Sequence, residues 1–125
     1  MRIPTQFDPI EIGETDVFAF DFTPDAATAT IVSTSWTCVL GPYETAYDAA
    51  PQSRILSVWA PTALQLRSLT DGSVQTRTGA FSVALIGGIP GSAAGATYIL
   101  EATANLSDGR VLKLNATVQC KLSGQ

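Results

Sequence analysis

The sequence predicts an all-β protein, a single antiparallel sandwich of about seven strands. Three observations carry that prediction. Apolar residues recur at every second position along most of the chain, the period of a half-buried strand. Clusters of Gly, Pro, Asp and Ser interrupt the alternation at fairly regular intervals. No helical period is sustained for three turns, because the alanine-rich pieces AATAT and ETAYDAA are short and lie near prolines.

Each element follows in order. Over 16–22, Phe18, Phe20 and Phe22 alternate with Val17, Ala19 and Asp21, and Pro24-Asp25 ends the strand. The β-branched run at 29–40 sets Trp36, Cys38 and Leu40 on one face and stops at Gly41-Pro42. Residues 41–53, with Pro42 and Pro51, read as a loop. A short strand at 54–59 is stopped by Ala60-Pro61, since proline cannot donate to a ladder. The stretch 63–69 alternates Leu64 and Leu66 with polar neighbours, and Thr70-Asp71-Gly72-Ser73 is a turn before 73–78. The strand at 80–86 places Phe81, Val83 and Leu85 on one face. The glycine-rich segment 87–95 lacks the Lys-Ser/Thr ending of a phosphate loop and reads as a crossover between sheets. Strands at 96–106 and 110–122 flank Ser107-Asp108-Gly109, a tight hairpin turn closed by a left-handed glycine. Their inward faces are Tyr98, Leu100, Ala102, Ala104 and Leu106, then Leu112, Leu114, Ala116, Val118 and Cys120.

Composition bounds the chemistry. The chain has 125 residues, enough for one domain that buries roughly two thirds of its unfolded surface without a metal or disulfide. It contains no histidine, which excludes Ser-His-Asp and Cys-His nucleophiles and the commonest zinc sites. A domain this small also leaves little room for a sugar-cleaving cleft, so no enzyme and no cofactor are expected. Cys38 and Cys120 match no metal spacing and share the core parity of their strands. They read as two buried thiols, or as a core disulfide in an oxidising compartment.

The net charge of −4 argues against nucleic acid. Residues 1–25 hold six acids, Asp8, Glu11, Glu14, Asp16, Asp21 and Asp25, against Arg2 alone, while 26–125 hold six bases and five acids. Residues 1–15 are thus expected to form an extended acidic arm, serving either as a solvated face or as a docking arm for a basic neighbour. Asp8, Glu11, Glu14 and Asp16 do not have the spacing of a calcium loop. No stretch reaches the length of a membrane span, and the N-terminus lacks the apolar core of a signal peptide, so synthesis in the cytoplasm is expected. The apolar segment 54–69, with Ile55, Val58, Trp59, Leu64 and Leu66, admits two readings. It is either ordinary core strand or a protruding hairpin whose apolar patch marks an interface anchored by Trp59.

Taken in order, several residues resemble a known family. They are Asp8-Pro9 followed by acids, FAFDFTP at 18–24, Ser35-Trp36-Thr37-Cys38, Gly87-Gly88, a glycine before Tyr98, and Ser107-Asp108-Gly109-Arg110. This is similar to the small Ig-like virion proteins of tailed bacteriophages, of the fiber–tail adaptor or neck type. The match covers residues 8–40 and 80–120, and the segment 41–79 is longer here than in the shorter members. The resemblance implies a non-enzymatic Ig-like sandwich over 16–122, made in a bacterial cytoplasm and present in several copies on the virion. Its implied partners are portal, connector, fiber or capsid proteins. The interface residues expected are Asp8, Glu11, Glu14 and Asp16 in the arm, and Ile55, Val58, Trp59, Leu64 and Leu66 in the apolar segment. A capsid decoration protein is the alternative address for the same fold. A carbohydrate-binding sandwich is a further alternative, with Tyr43, Tyr47 and Trp59 as its exposed aromatics.

Overall fold

The alternating segments fold as β-strands that pack into an all-β sandwich. The structure, a computed structural model, describes residues 9–67 and 71–121. Its strands are β1 (Ile10–Glu11), β2 (Asp16–Asp21), β3 (Ile31–Leu40), β4 (Ile55–Trp59), β5 (Ala63–Arg67), β6 (Val74–Thr78), β7 (Phe81–Ile86), β8 (Thr97–Leu106) and β9 (Val111–Lys121). One sheet has the order β1-β9-β8-β3 and the facing sheet the order β2-β7-β4. The hairpin β5-β6 forms a two-stranded sheet of its own, so seven strands make the two main sheets. All pairings are antiparallel except β1 with β9, where Ile10 lies opposite Cys120 and Glu11 opposite Lys121.

The inward parities read from the sequence hold for β2, β3, β8 and most of β9. Phe18, Phe20, Trp36, Cys38, Leu40, Tyr98, Leu100, Leu114, Val118 and Cys120 are buried in one core, with Phe22 just beyond β2. Leu112 is half-buried at its rim. Large rings from β2 and β3 meet small side chains from β8 and β9: Ala102, Ala104 and Ala116 are all buried in the same cluster. Phe20 and Trp36 lie with ring centroids 5.1 Å apart at 39°. The alanine-rich composition is therefore the packing counterpart of the aromatics, since an interior near crystal density alternates large and small. Burial of each large side chain contributes about 1.5–3 kcal/mol.

One expectation is refined and one corrected here. Phe81, Val83 and Leu85 share a face as expected, and it is the outward one, because they pair with Asp21, Ala19 and Val17. Ser82, Ala84 and Ile86 face the core. The arm was expected to extend to residue 15, but its described part enters the fold at β1. Ile10 is buried, and the Ile12 N–H donates to the Lys121 carbonyl at 2.8 Å. A two-residue strand has no period to read, which is why it is invisible in the sequence.

A chain of hydrogen bonds crosses between the sheets. Trp36 Nε1 donates to Ser82 Oγ at 2.7 Å, Ser82 Oγ lies 2.5 Å from Thr34 Oγ1, and Thr34 Oγ1 donates to the Thr103 carbonyl at 2.9 Å. The indole only donates and the carbonyl only accepts, so both hydroxyl hydrogens point one way along the chain. Both cysteines are free and buried. Burial pushes the Cys38 thiol up to about 12, with the Asp48 carboxylate adding to the rise, and burial raises Cys120 as well.

The turns follow their residue chemistry. Gly109 has a φ of 91°, as the hairpin turn requires. The next residue, Arg110, reaches back to the helical turn Thr23–Ala26, donating to the carbonyls of Asp25 at 2.8 Å and Ala26 at 3.0 Å. The glycine-rich stretch 87–95 carries the chain from β7 in one sheet to β8 in the other.

Candidate interaction surface

Residues 41–54 fold back on the end of the sandwich, pinned by a buried carboxylate. Asp48 is only 5% exposed. Its oxygens accept from the Ala50 N–H at 3.0 Å, the Tyr98 hydroxyl at 2.8 Å and Arg54 Nε at 2.9 Å. The Arg54 guanidinium also donates to the Gly88 carbonyl. Burial acts to raise the Asp48 carboxyl, but the bonds from Ala50, Tyr98 and Arg54, with the Arg54 charge, hold it below the usual carboxylate range. Burial and the hydrogen bond to Asp48 push the Tyr98 hydroxyl upward. Nearby, Glu44 Oε2 accepts from the Thr97 N–H at 2.8 Å and Ser92 Oγ donates to the Tyr47 carbonyl at 2.9 Å.

The same segment covers part of a strand edge. β3 is the last strand of its sheet. The Gln52 carboxamide accepts from the Cys38 N–H and donates to the Trp36 carbonyl, each at 2.9 Å. Beside it Tyr43 is 98% exposed, at the mouth of a groove of about 230 Å³ lined also by Pro42, Glu44, Thr97, Ile99 and Thr117.

The second feature is the β5-β6 hairpin. It leaves the sandwich after β4, through Ala60-Pro61-Thr62, and returns into β7 through Gly79. A Cβ at Gly79 would fall 2.2 Å from Thr23 Oγ1, and that hydroxyl accepts from the Ala80 N–H at 3.0 Å. Only glycine permits the close approach that roots the hairpin. At its tip, Asp71 Oδ1 accepts from the Ser73 N–H at 2.9 Å, and Gly72 has a φ of 74°. Beyond its own pair, the hairpin joins no other strand among the described residues. Its described side chains are exposed or half-buried, with Val74 50% exposed.

Trp59, at the foot of the hairpin, lies opposite Val83 on the outward face of its sheet. It is 42% exposed, and Val17 on the same face is 52% exposed. Val83 beneath them is buried.

The predicted interface residues divide. Trp59 is exposed on the outward face of its sheet, and Leu64 is half-buried in the hairpin. Ile55 and Val58 do not, for both pack against the core. The register shifts between Ile55 and Ser57, so a strict alternation misassigns the residues on either side of it. Leu66 takes its register position opposite Gln75, and its side chain lies outside the described residues, as does Asp8. Glu14 and Asp16 are exposed, and Glu11 is half-buried in β1. Glu14 Oε1 accepts from the Glu11 N–H at 2.9 Å and Asp16 Oδ1 from the Val17 N–H at 2.7 Å, so both shape local backbone. Among the described residues, Asp16 is not brought together with Trp59. Asp16 pairs with Ile86, at the opposite end of β7 from the hairpin root.

The exposed aromatics do not form one platform either. Tyr43 sits against Ile99 and Thr117 of the four-stranded sheet, while Trp59 is on the other sheet. Gln52, which bonds two backbone groups of β3, lies in a segment that the sequence presents only as loop. No protein-family model, curated protein or solved structure matches this chain.

Proposed function

We propose that this chain is a non-enzymatic structural module of a tailed-phage virion, an adaptor that joins fiber or neck proteins to the head–tail junction. The observation that carries the reading is the β5-β6 hairpin, which projects from the sandwich with both outer edges unpaired among the described residues. A two-stranded hairpin is marginal in water by itself. Built onto a stable sandwich and rooted at a glycine, it is suited to insertion into a neighbour, with Trp59 as an aromatic anchor at its foot.

The strand order supports an Ig-like module of this kind. Constant-type Ig domains oppose a three-stranded C-F-G sheet to a sheet containing D-E-B. Here β3-β8-β9 corresponds to the first and β4-β7-β2 to the second, with β1 added parallel to β9. The hairpin then falls between the fourth and fifth strands of that scheme, as an insertion. The complete absence of histidine and the low charge support an associative role over a catalytic one.

The test replaces residues 62–78 by a short glycine-serine link in the phage gene and examines purified particles. The expected result is a folded protein that no longer incorporates, with fiber or neck components lost beside it. Normal incorporation overturns the reading. Labelling distributed over the whole shell of wild-type particles, with none at the neck, would identify a decoration protein instead.

A further inference from the structure

We propose that the groove beside Tyr43 is a seat for Phe7, carried there by the residues that precede β1 as they continue that strand along β9. The proposal is independent of the hairpin and of the virion reading. Residues 1–8 lie outside the described residues, and their course is inferred from the strand they lead into.

The register of β1 fixes that course. Ile10 lies opposite Cys120 in a parallel pair, and the Ile12 N–H donates to the Lys121 carbonyl. The backbone groups of alternate residues point to opposite sides of a strand, so the even-numbered positions of β1 are the ones that face β9. Pro9 is odd, and the N–H it lacks falls on the side away from β9. Asp8, as the residue before a proline, is restricted to extended backbone. Carried backward, the same register sets position 8 opposite Val118 and position 7 opposite Thr117. Pro4 is even and has no N–H to give, so the ladder ends there.

Side chains alternate as well. Ile10, Cys120, Val118 and Ala116 are buried, whereas Thr117 is half-buried on the other face of the sheet. Position 7 therefore falls on that outer face, beside Thr117, while Gln6 and Asp8 take the other. Between Pro4 and Pro9 the chain reads Thr-Gln-Phe-Asp, and its one large apolar residue stands at position 7.

The groove suits that residue. Ile99 lies opposite Thr117 in the adjacent strand, and Pro42 and Tyr43 complete the lining with Thr97. Position 7 and Ile99 are two strand spacings apart, about 10 Å, a gap that two large side chains bridge. The volume of about 230 Å³ accommodates one aromatic ring, and the groove surface is almost wholly apolar. Glu44, the one charged residue of the lining, is turned to the Thr97 N–H at 2.8 Å. Tyr43, otherwise fully exposed, gains an aromatic partner.

NMR of the full chain tests this. Nuclear Overhauser contacts are expected from the Phe7 ring to the Ile99 methyls and the Tyr43 ring. The Gln119 amide is the one placed to donate to the carbonyl of residue 8. Phe7→Ala and Tyr43→Ala are each expected to speed its exchange about tenfold or more, with the β8 amides unchanged. The double variant should exchange no faster than the faster single one, since both remove one contact. A wild type without a Phe7–Ile99 contact overturns the proposal, as does a Gln119 amide indifferent to Phe7→Ala. Copies labelled only at phenylalanine are then mixed with copies labelled only at isoleucine. Contacts between the two labels would put a second copy's Phe7 in the groove, which also overturns it. Should Phe7→Ala lose its cooperative melt, Tyr43→Ala, at an exposed residue, provides the same comparison.

Discussion

Trp36 Nε1 donates to Ser82 Oγ at 2.7 Å across the interior, joining the two sheets at the level where the Phe20 and Trp36 rings meet. Ser82 is fully buried. Replacing it with alanine leaves the indole N–H without an acceptor in a dry site, which costs about 1–3 kcal/mol. The expected result for Ser82→Ala is a lower urea midpoint with an unchanged denaturant slope. Trp36→Phe removes the orphaned donor, so the double variant is expected to lose less than the two single losses added together. Strict additivity in that cycle would show that the bond contributes nothing.

Acid should weaken the attachment of residues 41–54 through Asp48. Its carboxyl is held below the usual range in the folded chain, so its contribution is fully present above the unfolded value of about 3.9. That contribution is lost as pH falls through the folded value, because the unfolded chain then binds the proton more readily. Asp48→Asn is expected to destabilise the protein at pH 7, with the difference from wild type shrinking between pH 5 and pH 2. Urea midpoints across that window decide it; a constant difference would assign the effect to packing.

Much of the sandwich was legible because β3, β8 and β9 each bury one face, so the alternation from Tyr98 to Leu106 points unambiguously inward. The central strand β7 was harder. Phe81, Ser82, Val83 and Ala84 are all buried, and alternation carries no information about which side is core when both are covered. Ser82 looks outward by polarity and sits inward because Trp36 and Thr34 satisfy it. At the candidate surface, the irregularity after Ile55 turned Ile55 and Val58 inward while leaving Trp59 outside. The Gln52 contacts with β3 were illegible, since nothing local to residue 52 signals a strand residue 14 positions away.

The two tryptophans provide separate optical reports. Trp36 is 4% exposed and Trp59 is 42% exposed. Trp59→Phe is expected to leave a blue-shifted emission that acrylamide hardly quenches, and Trp36→Phe a red-shifted, readily quenched one. Trp59→Ala should also change stability far less than truncating Val58, which packs against the core. Equal quenching of the two indoles would remove Trp59 from the proposed surface.

The hairpin should behave as a separate layer of stability. Its ten strand residues make a ladder only with each other, whereas β8 is paired on both sides and lines the core. Regions with few buried contacts and solvent-accessible hydrogen bonds open locally, well below the global unfolding free energy. In native-state hydrogen exchange, amides of β5 and β6 are therefore expected to exchange orders of magnitude faster than those of β8. They should also be insensitive to low denaturant, because their opening exposes little surface. Ala80 is rooted by Thr23, so protection should rise sharply there, marking where the hairpin ends and the sandwich begins. Insertion into a partner would abolish the difference by supplying the missing strand edges. Uniform slow exchange through residues 63–78 in the isolated chain would mean that the hairpin is already fully stabilised and has no need of a neighbour.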